Sequence, residues 1–173
     1  MKRLIIPLFL IAPVFAAEEE FASKTINIGM VVSDLEKSIS FYKDMVGFVQ
    51  VDRTSFDIDA DFGKRAGLTD SLPFHVEVLK LGKGESATEL KLMSFGDKAK
   101  RQGNQFIHSN TGIQYLTIMV TELEPVLARI KEKKIKLLGE TPIPIPRNPD
   151  LHFVMIQDPD GTFVELIGPM KKK

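Results

Sequence analysis

NIGMVVSDLE, Asn27–Glu36, returns further along the chain as YLTIMVTELE, Tyr115–Glu124, an offset of 88 residues (115 − 27). Each copy reads as an alternating apolar strand that runs into a helix start. Each is later followed by an isolated Glu-Leu step, Glu89-Leu90 in the first half and Glu165-Leu166 in the second, offset by 76 (165 − 89). Loop insertions absorb the difference. A chain that writes strand, helix and acid-bearing strand twice predicts two similar halves folded around one cavity, with equivalent positions facing each other. Those positions are Asn27, Tyr115, Glu89 and Glu165.

In the first copy, alternation sets Ile28, Met30 and Val32 against Asn27, Gly29 and Val31, and the first set is predicted to lie under a helix. Ser33 and Glu36 have the S-x-x-E spacing of a capping box; Leu35, Ile39, Tyr42 and Val46 form the apolar stripe and Gly47 ends it. In the second copy Leu116, Ile118 and Val120 alternate with Tyr115, Thr117 and Met119. Thr121 and Glu124 repeat the box, Pro125 sits in the first turn, and Leu123, Val126, Leu127 and Ile130 form the stripe. Further strands are predicted over 47–54, 74–81, 88–94, 136–138, 151–157 and 162–167.

Asp158-Pro159-Asp160-Gly161 is a turn joining the last two strands into a hairpin. Pairing Gln157 with Thr162 puts Val154 opposite Glu165 and His152 opposite Ile167, which aims His152 into the cavity and leaves Phe153, Met155, Val164 and Leu166 facing the helices. Asp57-Ile-Asp-Ala-Asp61 imitates a calcium loop, but Phe62 and Leu68 stand where that loop needs Gly and Glu, so it reads as a solvated loop. Residues 61–68 are predicted as a short helix over the cavity mouth, with Phe56 and Phe62 near the entrance. The proline-rich stretch 139–150 reads as an extended loop, with Arg147 placed to grip an anionic substrate.

With 173 residues, 43% of them hydrophobic, the chain has enough material for one core and one domain. Lys2 and Arg3, the apolar run 4–15 and Val14-Phe15-Ala16 have the form of a signal peptide over residues 1–16. The run is too short for a stable membrane span, which needs roughly 20 apolar residues. Cleavage after Ala16 leaves 21 basic and 23 acidic residues, net −2, in a protein expected in the periplasm or outside the cell. That charge is no footprint for nucleic acid. The absence of cysteine removes disulfides, thiolate nucleophiles and sulfur ligands together.

The segment S-D-L-E-K-S-I-S-F-Y-K-D-M-V-G-F, Ser33–Phe48, followed by D-P-D-G-T-F-V-E-L-I, Asp158–Ile167, resembles the vicinal oxygen chelate superfamily of glyoxalases, epimerases, extradiol dioxygenases and bleomycin-binding proteins. The resemblance implies a glyoxalase-like α+β fold in which paired β-α-β-β-β modules, about 26–95 and 113–168 within a single domain 26–169, form a cupped mixed sheet. It implies a divalent metal ion held by one residue from each of four strands: Glu89, Glu165, Asn27 and Tyr115. Asn27 and Tyr115 stand where the family has His or Gln. As an enzyme the protein would be a metal-dependent lyase or isomerase, with Glu89, Glu165 or His152 moving the proton and Thr117, Lys91 and Arg147 lining the pocket. The alternative is a metal-free module that binds or sequesters a small molecule. Family members commonly pair as homodimers.

Overall fold

The computed structural model describes residues 21–51, 54–99 and 103–171. The proposed leader and its cleavage site lie outside them, and among the described residues no helix is long and apolar enough to cross a membrane. Two hydrogen-bonded sheets form. The first has the order β1 (Ile28–Val32), β5 (Glu89–Ser94), β4 (Phe74–Lys80), β2 (Val49–Gln50), with β3 (Phe56–Ile58) also on β4. The second has the order β6 (Tyr115–Met119), β9 (Phe163–Pro169), β8 (Asn148–Gln157), β7 (Ile143–Ile145). In each, the strand that opens the module lies parallel to the one that closes it, and the other pairs are antiparallel.

The apolar periodicity is realised as expected. Val32, Leu90 and Leu92 from the first sheet and Val154, Ile156, Val164 and Leu166 from the second join Ile39, Tyr42, Met45, Leu123, Val126 and Ile130 from the helices in one core. Helices α1 (Leu35–Ser40) and α3 (Glu124–Glu132) therefore serve a shared interior, and the Arg129 guanidinium donates to the Met45 carbonyl at 2.7 Å across the junction. Past Ser40 the first helix widens into a π-helical stretch, Phe41–Val46, ended by Gly47 at φ 108°. The wider turn lets the adjacent pairs Phe41/Tyr42 and Met45/Val46 all reach the core.

Neither capping box forms. Asp34 caps α1 by accepting from the Lys37 N–H at 3.1 Å, while Ser33 is drawn to the other module, where its N–H and hydroxyl both donate to the Asp160 carboxylate. Leu123, not Thr121, occupies the cap of α3; its N–H is satisfied by the Pro169 carbonyl, and the Glu124 carboxylate accepts from the Lys171 N–H. In both places a tertiary partner outbids the local motif.

Among the described residues of the predicted 47–54 strand, Val49–Gln50 is strand, and 136–138 is not a strand, although the Leu138 N–H still reaches the Met155 carbonyl at 2.8 Å. The edge strand is instead β7, drawn from the proline-rich stretch, whose turn to β8 carries Arg147 at an exposed tip. Asp57 and Asp59 are not loop residues: Asp57 lies in β3, and Asp59 caps α2 (Ala60–Arg65).

The final hairpin departs from the expected register by one residue. The Asp158 carboxylate accepts from the N–H groups of Asp160 and Thr162, and the Asp158 N–H donates to the Thr162 carbonyl, so the turn runs through Thr162. Gln157 pairs with Phe163, Met155 with Glu165 and His152 with Gly168. A one-residue change moves every side chain on β8 to the other face relative to Glu165. Phe153 and Met155 therefore share Glu165's outward face, and His152 turns toward the core side with Val154.

Candidate ligand-binding site

Because Ile28, Met30, Val32, Leu90 and Leu92 pack inward, the opposite face of the first sheet carries Asn27, Gly29, Val31, Glu89, Lys91 and Met93. The Asn27 amide donates to Glu89 Oε2 at 3.0 Å, and Lys80 Nζ lies 3.5 Å from Glu89 Oε1. Both charges of that pair are about three-quarters buried (21% and 26% exposed), so the carboxylate is neutralised where it stands. On the second sheet Tyr115, Thr117, Phe163, Glu165 and Ile167 share the corresponding face, and the Thr117 hydroxyl donates to Glu165 Oε2.

The two ladders fix which positions are equivalent. Gly29 pairs with Lys91 in the first module, and its repeat partner Thr117 pairs with Glu165 in the second. The residue that corresponds to Glu165 is thus Lys91. Glu89, beside Asn27, corresponds to Phe163, which pairs with Tyr115. The two Glu-Leu steps fall on matching faces but two residues out of phase along their strands.

A divalent ion on this fold requires several oxygen or nitrogen donors converging without an opposing cation. Glu89 is occupied by Asn27 and Lys80, Glu165's counterpart is a lysine, and His152 is on the wrong side of its sheet. Among the described residues no three His, Asp or Glu side chains are grouped to hold a metal. The side chains present do not fit the ion that the family implies.

The outward face of the second sheet forms one wall of a cavity of about 600 Å³, lined by Phe106, Leu138, Ile143, Phe153, Met155 and Phe163 among others, while Glu165, paired with Met155, lies outside that lining. That volume lies within the range of small-molecule sites, and the walls are mainly apolar. His108, Lys136, Glu140 and Thr141 bring polar groups to it. The 103–110 loop closes one side on its own hydrogen bonds: Asn110 donates to the Gly103 carbonyl at 3.1 Å, the Phe106 N–H to Ser109 Oγ at 2.9 Å, and Gln157 anchors the Asn104 carbonyl at 2.6 Å. Phe106 and His108 stack in parallel, ring centres 5.5 Å apart.

None of these walls is among the predicted pocket residues, and two of them, Phe153 and Met155, are ones the expected register turns toward the helices. Counting the hairpin turn through Thr162 would have put Phe153 and Met155 on the outward face beside Phe163, which alternation already places with Glu165; the loop residues carry no periodic signal. Of the predicted pocket residues, Thr117 touches Glu165, Lys91 lies on the first sheet, and Arg147 is at the β7–β8 tip outside the cavity lining.

A model of the Glyoxalase/Bleomycin resistance protein/Dioxygenase superfamily matches residues 25–166. The chain belongs to this superfamily. Comparison with curated proteins gave no match. Among solved structures, a glyoxalase family protein from Bacillus cereus superposes with a TM-score of 0.68 at 15% identity, over 90% of this chain and 99% of that one. The trypanothione-dependent glyoxalase I of Leishmania major gives 0.55 at 19% identity, over 85% of this chain and 87% of that one. A variant of maize (Zea mays) glyoxalase I gives 0.59 at 21%, over 84% of this chain and 46% of that one. At these identities the superpositions establish the glyoxalase-like α+β fold, and the site's chemistry rests on its own residues.

Proposed function

We propose that this chain is an exported, metal-independent member of the glyoxalase/bleomycin resistance superfamily that binds a small, largely apolar molecule against its second sheet. The observation that carries this reading is the aromatic and aliphatic cavity on the second sheet, set against a donor set dispersed and partly replaced by cations. The apolar walls supply burial, and His108, Lys136, Glu140 and Thr141 in the lining supply hydrogen-bond partners for the polar groups of the ligand.

The neutral dye Nile red is a suitable probe of an apolar cavity. It should bind saturably, and Met155→Glu should weaken it about tenfold or more, because a neutral dye seated on that wall would strip water from the introduced carboxylate. Unchanged dye affinity in a folded Met155→Glu protein would remove the cavity from consideration.

A second reading, a lyase or isomerase, is favoured by one observation: Glu165 lies on the same face as the cavity walls, where it could take a proton from a bound substrate. Glu165→Gln would then keep ligand affinity and lose turnover. Equal loss of both would assign Glu165 to binding alone.

Export rests on the basic start, the short apolar run and the small residues before Ala17. Intact-mass measurement of protein from the periplasm or medium should give a chain beginning at Ala17. A protein that retains Met1 and stays in the cytoplasm contradicts this.

A further inference from the structure

We propose that Lys91 makes the outward face of the first sheet a binding site for an oxyanion, a carboxylate or phosphate group of a ligand. The ladders give the first ground. Lys91 stands beside Gly29 as Glu165 stands beside Thr117, so the repeat has reversed the charge at one of two equivalent positions.

The second ground is the state of the charges around it. Glu89, two residues away on the same face, is already held by Lys80 and Asn27, which leaves it little capacity to balance a second ammonium. Lys91 itself is part-buried, and among the described residues no carboxylate lies within ion-pair distance of it. A part-buried ammonium without a counter-charge is unfavourable, and an anion from solution relieves it.

Access is the third ground. In the second module Thr117 fills the place beside the carboxylate and donates to it. In the first module that place is Gly29, which is exposed and brings no hydroxyl; what lies against it is the flexible Met93 side chain, its methyl 3.2 Å from where a Cβ would stand, which offers Lys91 no hydrogen-bond partner on that flank. Nearby Val31, 49% exposed, offers apolar surface to whatever carries the anion. This inference does not depend on the cavity of the second sheet, whose Met155→Glu variant should keep the anion response.

The test is thermal unfolding of the mature chain in inorganic phosphate or acetate, each compared with sodium chloride at equal ionic strength. At ten times the dissociation constant a bound anion should raise the melting temperature by about 3–6 °C. Lys91→Met, which keeps the aliphatic stem, should abolish the rise; Lys91→Arg should keep it, and so should Lys83→Met on the surface. A response to phosphate alone assigns a phosphate-bearing ligand, and a response to acetate a carboxylate. No rise above chloride, or a rise that survives in a folded Lys91→Met protein, overturns the proposal.

Discussion

Asp158→Ala should lower stability by about 2–4 kcal/mol, which for a domain of this size is a fall of roughly 5–15 °C in melting temperature. Asp158 is 4% exposed, and its carboxylate accepts from the Tyr42 hydroxyl at 2.8 Å, the Thr162 N–H at 2.7 Å and the Asp160 N–H at 3.0 Å. Alanine would strand three donors at a place where the first helix reaches across to the second hairpin. Tyr42→Phe removes a single donor and should cost less, about 1–3 kcal/mol. Asp158→Asn keeps one oxygen for the two N–H groups, and its amide can donate to the tyrosine oxygen, so it should be the mildest of the three.

Charge adds a pH signature to that series. Burial pushes the Asp158 carboxyl above the ordinary aspartate value, although the hydrogen bonds from Tyr42, Thr162 and Asp160 oppose the shift. The folded state therefore binds the proton more tightly than the unfolded chain does. The associated stability is complete below the unfolded value and is lost as pH rises through the folded one. Relative to Asp158→Asn, the parent should lose stability as pH is raised from the ordinary aspartate range upward. Urea titrations at several pH values measure this directly, and a difference that is flat or grows with pH would contradict the assignment.

The same aspartate explains why the site was only half legible in the sequence. Alternation in NIGMVVSDLE and YLTIMVTELE is enough to specify both first strands, their inward faces and the helices that follow, because burial at period 2 and at 3.6 leaves one consistent arrangement. A turn is not read that way. The side-chain bonds of Asp158 carry the turn through Thr162, and one extra residue turned His152 inward and Met155 outward. The Glu-Leu steps misled by a different route. A displacement of two residues preserves the face, so Glu89 and Glu165 look alike by alternation, and only the hydrogen-bonded ladder distinguishes Glu89's place from that of Lys91. The capping boxes failed because Asp160 and Pro169, distant in sequence, supplied partners that local motifs cannot anticipate.

Gly168→Ala should cost about 1–3 kcal/mol, against a change within about 0.5 kcal/mol for Gly84→Ala in an open loop. A Cβ on Gly168 would lie 2.7 Å from the Val120 carbonyl oxygen and 2.7 Å from Val120 Cγ2, whereas one on Gly84 would meet nothing within 4 Å. The side-chain contact can rotate away, but the backbone oxygen cannot, since the Val120 N–H is bonded to the Ile167 carbonyl at 2.8 Å, next to the substituted residue. Relief requires β9 to move away from the end of β6. That movement would shift the ladder that carries Phe163 on the cavity wall, so the variant should also bind Nile red more weakly at temperatures where it remains folded. Calorimetry and dye titration on the two glycine variants measure both effects. A Gly168→Ala protein as stable as the Gly84→Ala protein would mean that β6 and β9 approach less closely than this packing requires.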